Sequence, residues 1–219
     1  GPLWMRSSIP MGKGMGFSGA ARVAGVVLAH AQRHGTDETS FHNARPELLA
    51  VSAELEGHPD NAAASLLGGI VASVSGVAVR IPTRLEPAIV VWVPPEQTST
   101  KESRIKLPAT VSFADAVFNI GHTALLVAAL AAGDTSALVV ATRDRLHQDI
   151  RFRKAPSSHA ALNEAVRAGA WCAWLSGSGP TVAAMCDPGE AQRIADALPR
   201  DGSTMVLRIA NQGAQLLAT

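Results

Sequence analysis

Three glycines alternate with other residues near the amino terminus, in the segment IPMGKGMGFSGAA (residues 9–21). Gly12, Gly14 and Gly16 could bring backbone N–H groups close to an anion, and Lys13 could add positive charge. The segment leads into a predicted helix that begins near Ser18, and the N-terminus of a helix favours negative charge. The Ser18 hydroxyl could also ligate Mg²⁺ beside phosphate groups, because Mg²⁺ prefers oxygen ligands. The pattern indicates a phosphate loop, with a plain glycine-rich turn as the alternative.

Two common phosphate loops do not fit this segment. The Walker pattern G-x-x-x-x-G-K-[ST] is not met, and the glycine spacing is GxGxG instead of the GxGxxG of dinucleotide-binding folds.

A second polar segment, AELEGHPDN (residues 53–61), follows a predicted helix. Glu54 lies near the end of that helix, where a carboxylate could ligate Mg²⁺ or could simply be a solvated acid. His58, Asp60 and Asn61 fall in a tight turn before the next helix. Asp and Asn are common in turns and at helix N-caps, so these residues could equally have a purely structural role.

A third segment, LSGSGPTVAAMCD (residues 175–187), reads as the end of one strand, a glycine turn and a second strand. Gly177, Ser178 and Gly179 could present backbone N–H groups to a phosphate or a substrate. An ordinary hairpin turn is the alternative.

The elements that must position these segments predict an α+β chain with mostly antiparallel strands. A hairpin with its turn at Ser75–Gly76 and a buried strand over 87–94 precede a polar, proline-bounded loop at 94–108. Further strands are expected within 171–187 and over 204–210. Helices are predicted over 18–34, 45–57, 61–67, 113–133, 135–148, 158–170 and 189–202.

Composition narrows the class of protein. The 219 residues are 47% hydrophobic and carry a net charge of +1 with dispersed basic residues, which argues against a nucleic-acid partner. Cys172 and Cys186 form no CxxC pair, so we expect reduced thiols and a cytoplasmic protein without a zinc framework. Polar residues interrupt every long apolar run, so we expect no membrane span.

The three glycine- and acid-containing segments together resemble the signatures of the GHMP kinases, and are most similar to the homoserine kinase branch of that family. The family's phosphate loop is P-x-x-x-G-L-G-S-S-A-A, which Pro10, Gly14, Gly16, Ser18 and Ala20 match. Phe17 replaces the first serine of this motif and Gly19 replaces an alanine. EGHPDN and SGSGPT resemble the second and third signatures.

This resemblance implies roles for named residues. The phosphates of ATP would lie on Pro10, Gly12, Lys13, Gly14, Met15, Gly16, Phe17 and Ser18, and Mg²⁺ on Ser18 and Glu54. Catalysis would involve Asn61, Asp60 and Lys13. Because Asn cannot take a proton, catalysis would rest on positioning and electrostatics, with Asp60 the acid that could challenge this mechanism. The substrate would contact His58, Asp60, Thr100, Arg104, Asn119, His122, Arg151, Gly177, Ser178 and Gly179.

Two of these assignments carry alternatives. Arg104 and Arg151 suit a carboxylate, which guanidinium groups bind bidentately, and Arg153 is the rival of Arg151. His122 could equally be a histidine satisfied within a bundle of helices.

The resemblance also implies a fold and a reaction. The fold would be the two-domain GHMP kinase fold, with an incomplete ribosomal S5 domain 2-like N-terminal domain (1–98) and a ferredoxin-like C-terminal domain (99–219). The family carries a further segment ahead of the phosphate loop, so we expect exposed surface and a homodimer. The reaction would be phosphorylation of the homoserine side-chain hydroxyl in threonine biosynthesis. The alternatives are a kinase for threonine, shikimate or mevalonate, and an inactive fragment that acts as a binding or assembly module.

Overall fold

The computed structural model describes residues 4–95 and 107–217. The α-helices are α1 (Phe17–His34), α2 (Glu38–Glu56), α3 (Pro59–Leu67), α4 (Phe113–Ala132), α5 (Leu138–Ala141), α6 (Gln148–Phe152), α7 (Pro156–Arg167) and α8 (Ala191–Ala197). The strands are β1 (Val71–Val74), β2 (Val77–Arg80), β3 (Ala88–Val93), β4 (Cys172–Leu175), β5 (Val182–Cys186) and β6 (Ser203–Arg208). Short 3₁₀ turns cover Thr135–Ala137 and Pro188–Glu190. This mixture of helices and antiparallel strands confirms the predicted α+β class.

The first three helices pack together around an aliphatic cluster. Val23 and Val27 of α1, Leu48 of α2 and Leu66 of α3 are buried in it, together with Phe41. Each helix ends at a glycine whose N–H donates to a carbonyl of the last turn, a common way for an α-helix to end. The cluster fixes the N-terminus of α1 beside the C-terminus of α2.

The predicted start of the second helix, at residue 45, is wrong. The helix begins at Glu38, where the carboxylate of the N-cap Asp37 accepts the Ser40 N–H at 2.6 Å. Pro46 then lies inside the helix. A strong cap ahead of the proline, and the burial of Phe41 and Leu48 on either side of it, outweigh the lost hydrogen bond.

A four-stranded antiparallel sheet with the order β4-β5-β3-β6 forms the second part of the molecule. On one side β3 pairs with β5, with Trp92 opposite Val182, and on the other it pairs with β6. Helices α7 and α8 cover one face through Ala161, Ala165 and Ile194. Residues of α4 and α5 pack over the other face.

The chain was expected to divide into two domains between residues 98 and 99, and the position of β3 affects this boundary. A cut at that point would separate β3 from the sheet in which it lies at an interior position. The carboxyl-terminal tail also returns to the first cluster, since Ala214 donates its N–H to Leu66 O at 3.1 Å and Gly69 donates to Ala210 O at 2.8 Å. A boundary ahead of β3, with the tail assigned to the N-terminal part, fits these contacts better.

The predicted helix over 135–148 is interrupted. Helix α5 ends at Ala141, and α6 begins at Gln148. Between them the carboxylate of Asp144 accepts the backbone N–H groups of Leu146, His147 and Gln148. An aspartate that bonds the N–H groups just after itself competes with helical hydrogen bonding, which explains the break.

Helix α4 combines an apolar composition with an exposed surface. Phe113, Val117 and Ile120 are 84%, 52% and 70% exposed. By length and composition alone, α4 could cross a membrane, since its mean hydropathy is 1.5. Helices in the cores of proteins that do not span a membrane pass the same test. The predicted absence of a membrane span therefore stays a prediction.

Candidate active site

The amino-terminal glycine loop adopts the backbone that an anion site requires. Gly12, Gly14 and Gly16 have φ values of 70°, 78° and 75°, in the left-handed region of backbone conformation that residues with a side chain rarely adopt. Gly16 is the N-cap of α1, and no side chain caps the helix there. The first-turn N–H groups of α1 therefore lack a side-chain acceptor and are placed to bind an anion.

The helix was predicted to begin near Ser18, and the structure places its N-cap two residues earlier. The left-handed Gly16 takes the cap position, so Ser18 lies within the first turn. Its hydroxyl donates to Glu56 Oε2 at 3.0 Å. The same carboxylate pairs with the guanidinium of Arg22, one turn further along α1.

Glu54, predicted as the second metal ligand, does not lie in that position. Successive residues rotate by about 100° around a helix, so Glu54 and Glu56 are about 200° apart and point to opposite sides of α2. Glu54 is exposed, whereas the Glu56 side chain is only 6% exposed. The structure thus pairs Ser18 with Glu56 instead of Glu54.

The two glycine loops, from opposite ends of the chain, meet directly. Ser176 Oγ donates to the Gly14 carbonyl at 2.8 Å. A Cβ atom added to Gly14 would lie 2.3 Å from the Ser176 carbonyl oxygen and 2.9 Å from that of Gly179. The turn around Gly177 and Gly179 therefore packs directly against the phosphate loop.

Asn61 lies in the first turn of α3, beside the start of α1. A Cβ added to Gly19 would be 2.8 Å from Asn61 Cβ, and one added to Gly16 would be 3.6 Å from Asn61 Oδ1. The structure therefore brings Asn61 to the phosphate loop. His58, the N-cap residue of α3, and Asp60 in its first turn are both exposed.

Lys13 has a defined contact at the edge of the loop. Its ammonium donates to the Pro94 carbonyl, just after β3, at 3.1 Å. This contact ties the phosphate loop to the strand end. The predicted role of Lys13 in phosphate binding or catalysis stays a prediction.

Of the two rival arginines, Arg151 is the one that reaches the glycine turn. Its guanidinium donates to Gly177 O at 2.8 Å. Burial lowers the pKa of Arg151, and the nearby Asp144 carboxylate partly offsets that effect. Arg153, at the end of α6, is exposed. Thr100 and Arg104 lie outside the described residues.

Three residues that the sequence analysis missed hold Arg151 and the glycine turn in place. Asp144 organises the turn before α6, and Gln148 accepts the Leu175 N–H at 2.8 Å through its side-chain oxygen. Ser176 makes the contact to Gly14. Burial raises the pKa of Asp144, but hydrogen bonds from the N–H groups of Gln148 and His147 hold it below its ordinary value. Aspartate often accepts backbone N–H groups a few residues after itself in a turn, so the position of Asp144 was the sequence signal for this turn.

Two predicted substrate contacts, Asn119 and His122 of α4, have hydrogen-bond partners within the protein. Both ends of the Asn119 amide are engaged, with Asp144 Oδ1 at 2.6 Å and the Arg145 N–H at 3.0 Å. His122 Nδ1 lies 2.7 Å from the carbonyl of Phe118, and the two rings stack. These contacts favour a supporting role for both residues, which was the alternative stated for His122.

The residues present suit a magnesium ion that also binds phosphate. Within residues 4–95 and 107–217, no cluster of three or more His, Cys, Asp or Glu could hold a metal. Ser18 and Glu56 supply two oxygen atoms 3.0 Å apart, and adjacent ligands of an octahedral Mg²⁺ lie about 3 Å apart. Mg²⁺ commonly takes one or two protein oxygens together with waters and substrate phosphates. A two-residue site next to a phosphate loop therefore fits this ion.

A glycine loop at a helix N-terminus, the serine–glutamate pair beside it and a half-buried arginine that contacts the adjoining glycine turn form an arrangement suited to phosphoryl transfer to a small anionic acceptor. Comparison with known proteins agrees with this class. Residues 3–69 match the model for the GHMP kinases N terminal domain, and residues 126–204 match GHMP kinases C terminal. The chain belongs to the GHMP kinase family.

Several relatives are homoserine kinases. The Thermus thermophilus homoserine kinase is 40% identical over 216 residues, which cover 95% of this chain and 72% of that protein. The Streptomyces avermitilis homoserine kinase is 42% identical over 214 residues, 95% of this chain and 68% of that protein. The crystal structure of homoserine kinase from Cytophaga hutchinsonii has a TM-score of 0.81 at 26% identity, covering 94% of this chain and 69% of that one.

Proposed function

We propose that the protein is an ATP-dependent kinase that phosphorylates the side-chain hydroxyl of L-homoserine, a step towards threonine. The homoserine kinases among its relatives support the choice of substrate. The observation that carries the proposal is the meeting of the two glycine loops, because Arg151 contacts Gly177 of one loop and is thereby close to the other, the phosphate loop. A carboxylate-binding group then lies near the position of phosphoryl transfer.

GHMP kinases use ATP. In this proposal the N–H groups of the loop at Gly12–Gly16 and of the first turn of α1 hold its phosphates. Ser18 and Glu56 hold Mg²⁺, which when bound neutralises charge that develops on the transferred phosphoryl group. Lys13, anchored at Pro94, adds positive charge at the edge of the loop.

The acceptor hydroxyl is positioned by Asn61, whose amide lies beside Gly16. An amide can orient a hydroxyl by hydrogen bonding but cannot accept its proton at neutral pH. Asp60 is exposed, and its place in the first turn of α3 suits the positive end of the helix dipole. Positioning and electrostatic stabilisation therefore supply the catalysis, without a strong protein base.

The carboxylate of the amino acid is held by Arg151 together with Arg104, and Thr100 and His58 contact the substrate as the resemblance implies. Arg151 is fixed by its bond to Gly177 O and by the turn that Asp144 organises. A preorganised guanidinium loses little freedom when it binds a carboxylate bidentately. Gly177, Ser178 and Gly179 then shape the space between the carboxylate and the phosphates.

A substrate panel tests this function. Purified protein with ATP and Mg²⁺ is given L-homoserine, threonine, shikimate or mevalonate, and ADP release and the phosphorylated product are measured. We expect turnover with homoserine at least about tenfold faster than with the others, because a small misplacement of the reacting atoms can cost that much or more. All four acceptors carry a carboxylate for Arg151, but their hydroxyl groups lie at different distances from it and cannot all reach the phosphoryl group in line. A higher rate with another acceptor would replace the substrate assignment. Release with none, from protein that is folded and binds ADP, would favour the assembly module.

The two neighbouring arginines provide a matched test of the site. Arg151→Ala should raise the KM for homoserine by about tenfold or more, the loss expected for one charged hydrogen-bonding partner. The KM for ATP should change much less. Arg153→Ala removes the same charge from an exposed position and should leave both constants within about twofold, in line with a surface substitution. Equal effects of the two changes would contradict the placement of the substrate carboxylate.

The expected homodimer and cytoplasmic location remain part of the proposal. The exposed apolar residues of α4, and Val74, Val77 and Val79 on the β1–β2 hairpin, favour a surface that another protein chain covers. Sedimentation velocity over a range of concentrations tests self-association. A single monomeric species at every concentration would contradict the dimer.

A further inference from the structure

We propose that Arg22 occupies the place of the metal when the site is empty, so that Mg²⁺ must displace its guanidinium from Glu56. This inference rests on the proposed function, because it concerns the Ser18–Glu56 pair assigned there to Mg²⁺. It makes Arg22 a positioning residue that sets how readily the kinase takes up its metal.

The geometry places one cation on the oxygen that the metal would need. Ser18 and Arg22 are four residues apart on α1 and therefore share a face of the helix. Ser18 Oγ and Arg22 Nη1 both donate to Glu56 Oε2. Arg22 Nη1 also lies 3.4 Å from the Glu56 carbonyl oxygen. The guanidinium thus spans the carboxylate and the last turn of α2.

Charge explains why a cation is held there without the metal. The Glu56 side chain is only 6% exposed, and a carboxylate removed from water is costly unless it is paired. The carbonyl groups at the C-terminus of α2 add partial negative charge beside it. The Arg22 side chain is 43% exposed, so it can leave toward solvent when a second cation arrives.

A purely structural role predicts the opposite effect on metal binding. If Arg22 only held Glu56 in place, its removal would leave the carboxylate less ordered and weaken metal binding. If Arg22 competes with the metal, its removal frees Oε2 and removes a neighbouring positive charge, so metal binding strengthens. The sign of the change separates the two roles.

The test compares Arg22→Met, which keeps most of the apolar stem, with Arg33→Met in the last turn of the same helix. Calorimetry gives the affinity for ADP with Mn²⁺ and with EDTA, and the ratio of the two reports the metal's contribution. We expect this ratio to rise by about fivefold in Arg22→Met, because metal binding no longer has to break a half-exposed ion pair. The melting temperature in EDTA should fall. Arg33→Met should change neither quantity.

Two further variants keep the outcomes distinct. Arg22→Lys retains the charge and should keep the ratio near that of the wild type, whether or not Arg22→Met folds well. An unchanged or lower ratio in Arg22→Met, or a ratio that rises as much in Arg22→Lys, would overturn the inference and leave the metal site intact. A Glu56→Gln ratio equal to that of the wild type would overturn the metal site itself, and this inference with it.

Discussion

The contact between the two glycine loops makes a quantitative prediction for Gly14→Ala. The new methyl group would lie 2.3 Å from the Ser176 carbonyl oxygen, well inside contact distance, and 3.1 Å from Gly179 N. Both neighbours are backbone atoms, which cannot rotate away as a side chain would. One of the two loops must therefore move, and the Ser176 hydroxyl bond to Gly14 O moves with it.

Gly12→Ala is the matched control for this change. Gly12 and Gly14 have φ values of 70° and 78°, but a Cβ at Gly12 meets nothing within 4 Å. Both alanines pay about 1–2 kcal/mol for the left-handed backbone. Both also gain similarly from the reduced entropy of the unfolded chain. The difference between the two variants therefore isolates the collision between the loops.

The expected losses follow from these terms. Overpacking adds about 1–3 kcal/mol at Gly14. Gly14→Ala should therefore lower the free energy of unfolding by about 1–3 kcal/mol more than Gly12→Ala does. Urea denaturation at neutral pH measures both values, and fluorescent ADP binding reports the loop. Affinity for ADP should fall more in Gly14→Ala, because the moved loop no longer presents its N–H groups together.

A double-mutant cycle with Ser176→Ala provides the refutation. Residues in contact show coupling energies of about 0.5–3 kcal/mol, whereas distant ones add within about 0.5 kcal/mol. We expect coupling between Gly14→Ala and Ser176→Ala, and additivity between Gly12→Ala and Ser176→Ala. Equal losses for the two glycine variants, with additivity in both cycles, would refute the meeting of the loops.

Two further predictions concern titrating groups. Because the pKa of Asp144 is lower in the folded protein than its ordinary value, its contribution to stability is full above about pH 3.9 and is lost as the pH falls towards the folded value. Asp144→Asn should lower stability at pH 7 by about 1–3 kcal/mol and flatten the acid limb in urea titrations, and an acid limb as steep as that of the wild type would contradict this. Burial raises the pKa of the Cys172 thiol to about 12, so thiol reagents at pH 8 should label it only when urea unfolds the chain. Rapid labelling of the native protein would be inconsistent with its burial.

Local patterns were sufficient for much of the fold. The helix ends predicted at residues 34, 57 and 133 lie within one residue of the observed ends, each followed by a glycine C-cap. The hairpin also turns at Ser75–Gly76 as predicted, because such signals act within a few residues. The three glycine- and acid-containing segments were also recognisable from the sequence, since each is contiguous. The family assignment, which depends on these segments, is confirmed.

Features that depend on distant partners could not be predicted. The end of α2 was predicted at Gly57, yet the choice between Glu54 and Glu56 depends on which side of α2 faces α1. The order β4-β5-β3-β6 places β3 between strands far along the chain, which no local pattern encodes. The break before α6 required knowing that Asp144 turns its carboxylate to the backbone instead of solvent.

The departure of Gly19 from the family motif now has a physical consequence. A Cβ at this position would lie 2.8 Å from Asn61 Cβ and 3.3 Å from its backbone carbonyl carbon, so α1 and α3 approach as closely as a glycine allows. The family's alanine would hold the two helices a few tenths of an ångström further apart. The close approach places the Asn61 amide near Gly16, at the start of α1. Because Asn61 can position an acceptor hydroxyl but cannot take its proton, the distance from this amide to the phosphate loop matters more than it would for an acid. Gly19 is therefore part of the site through the spacing it sets.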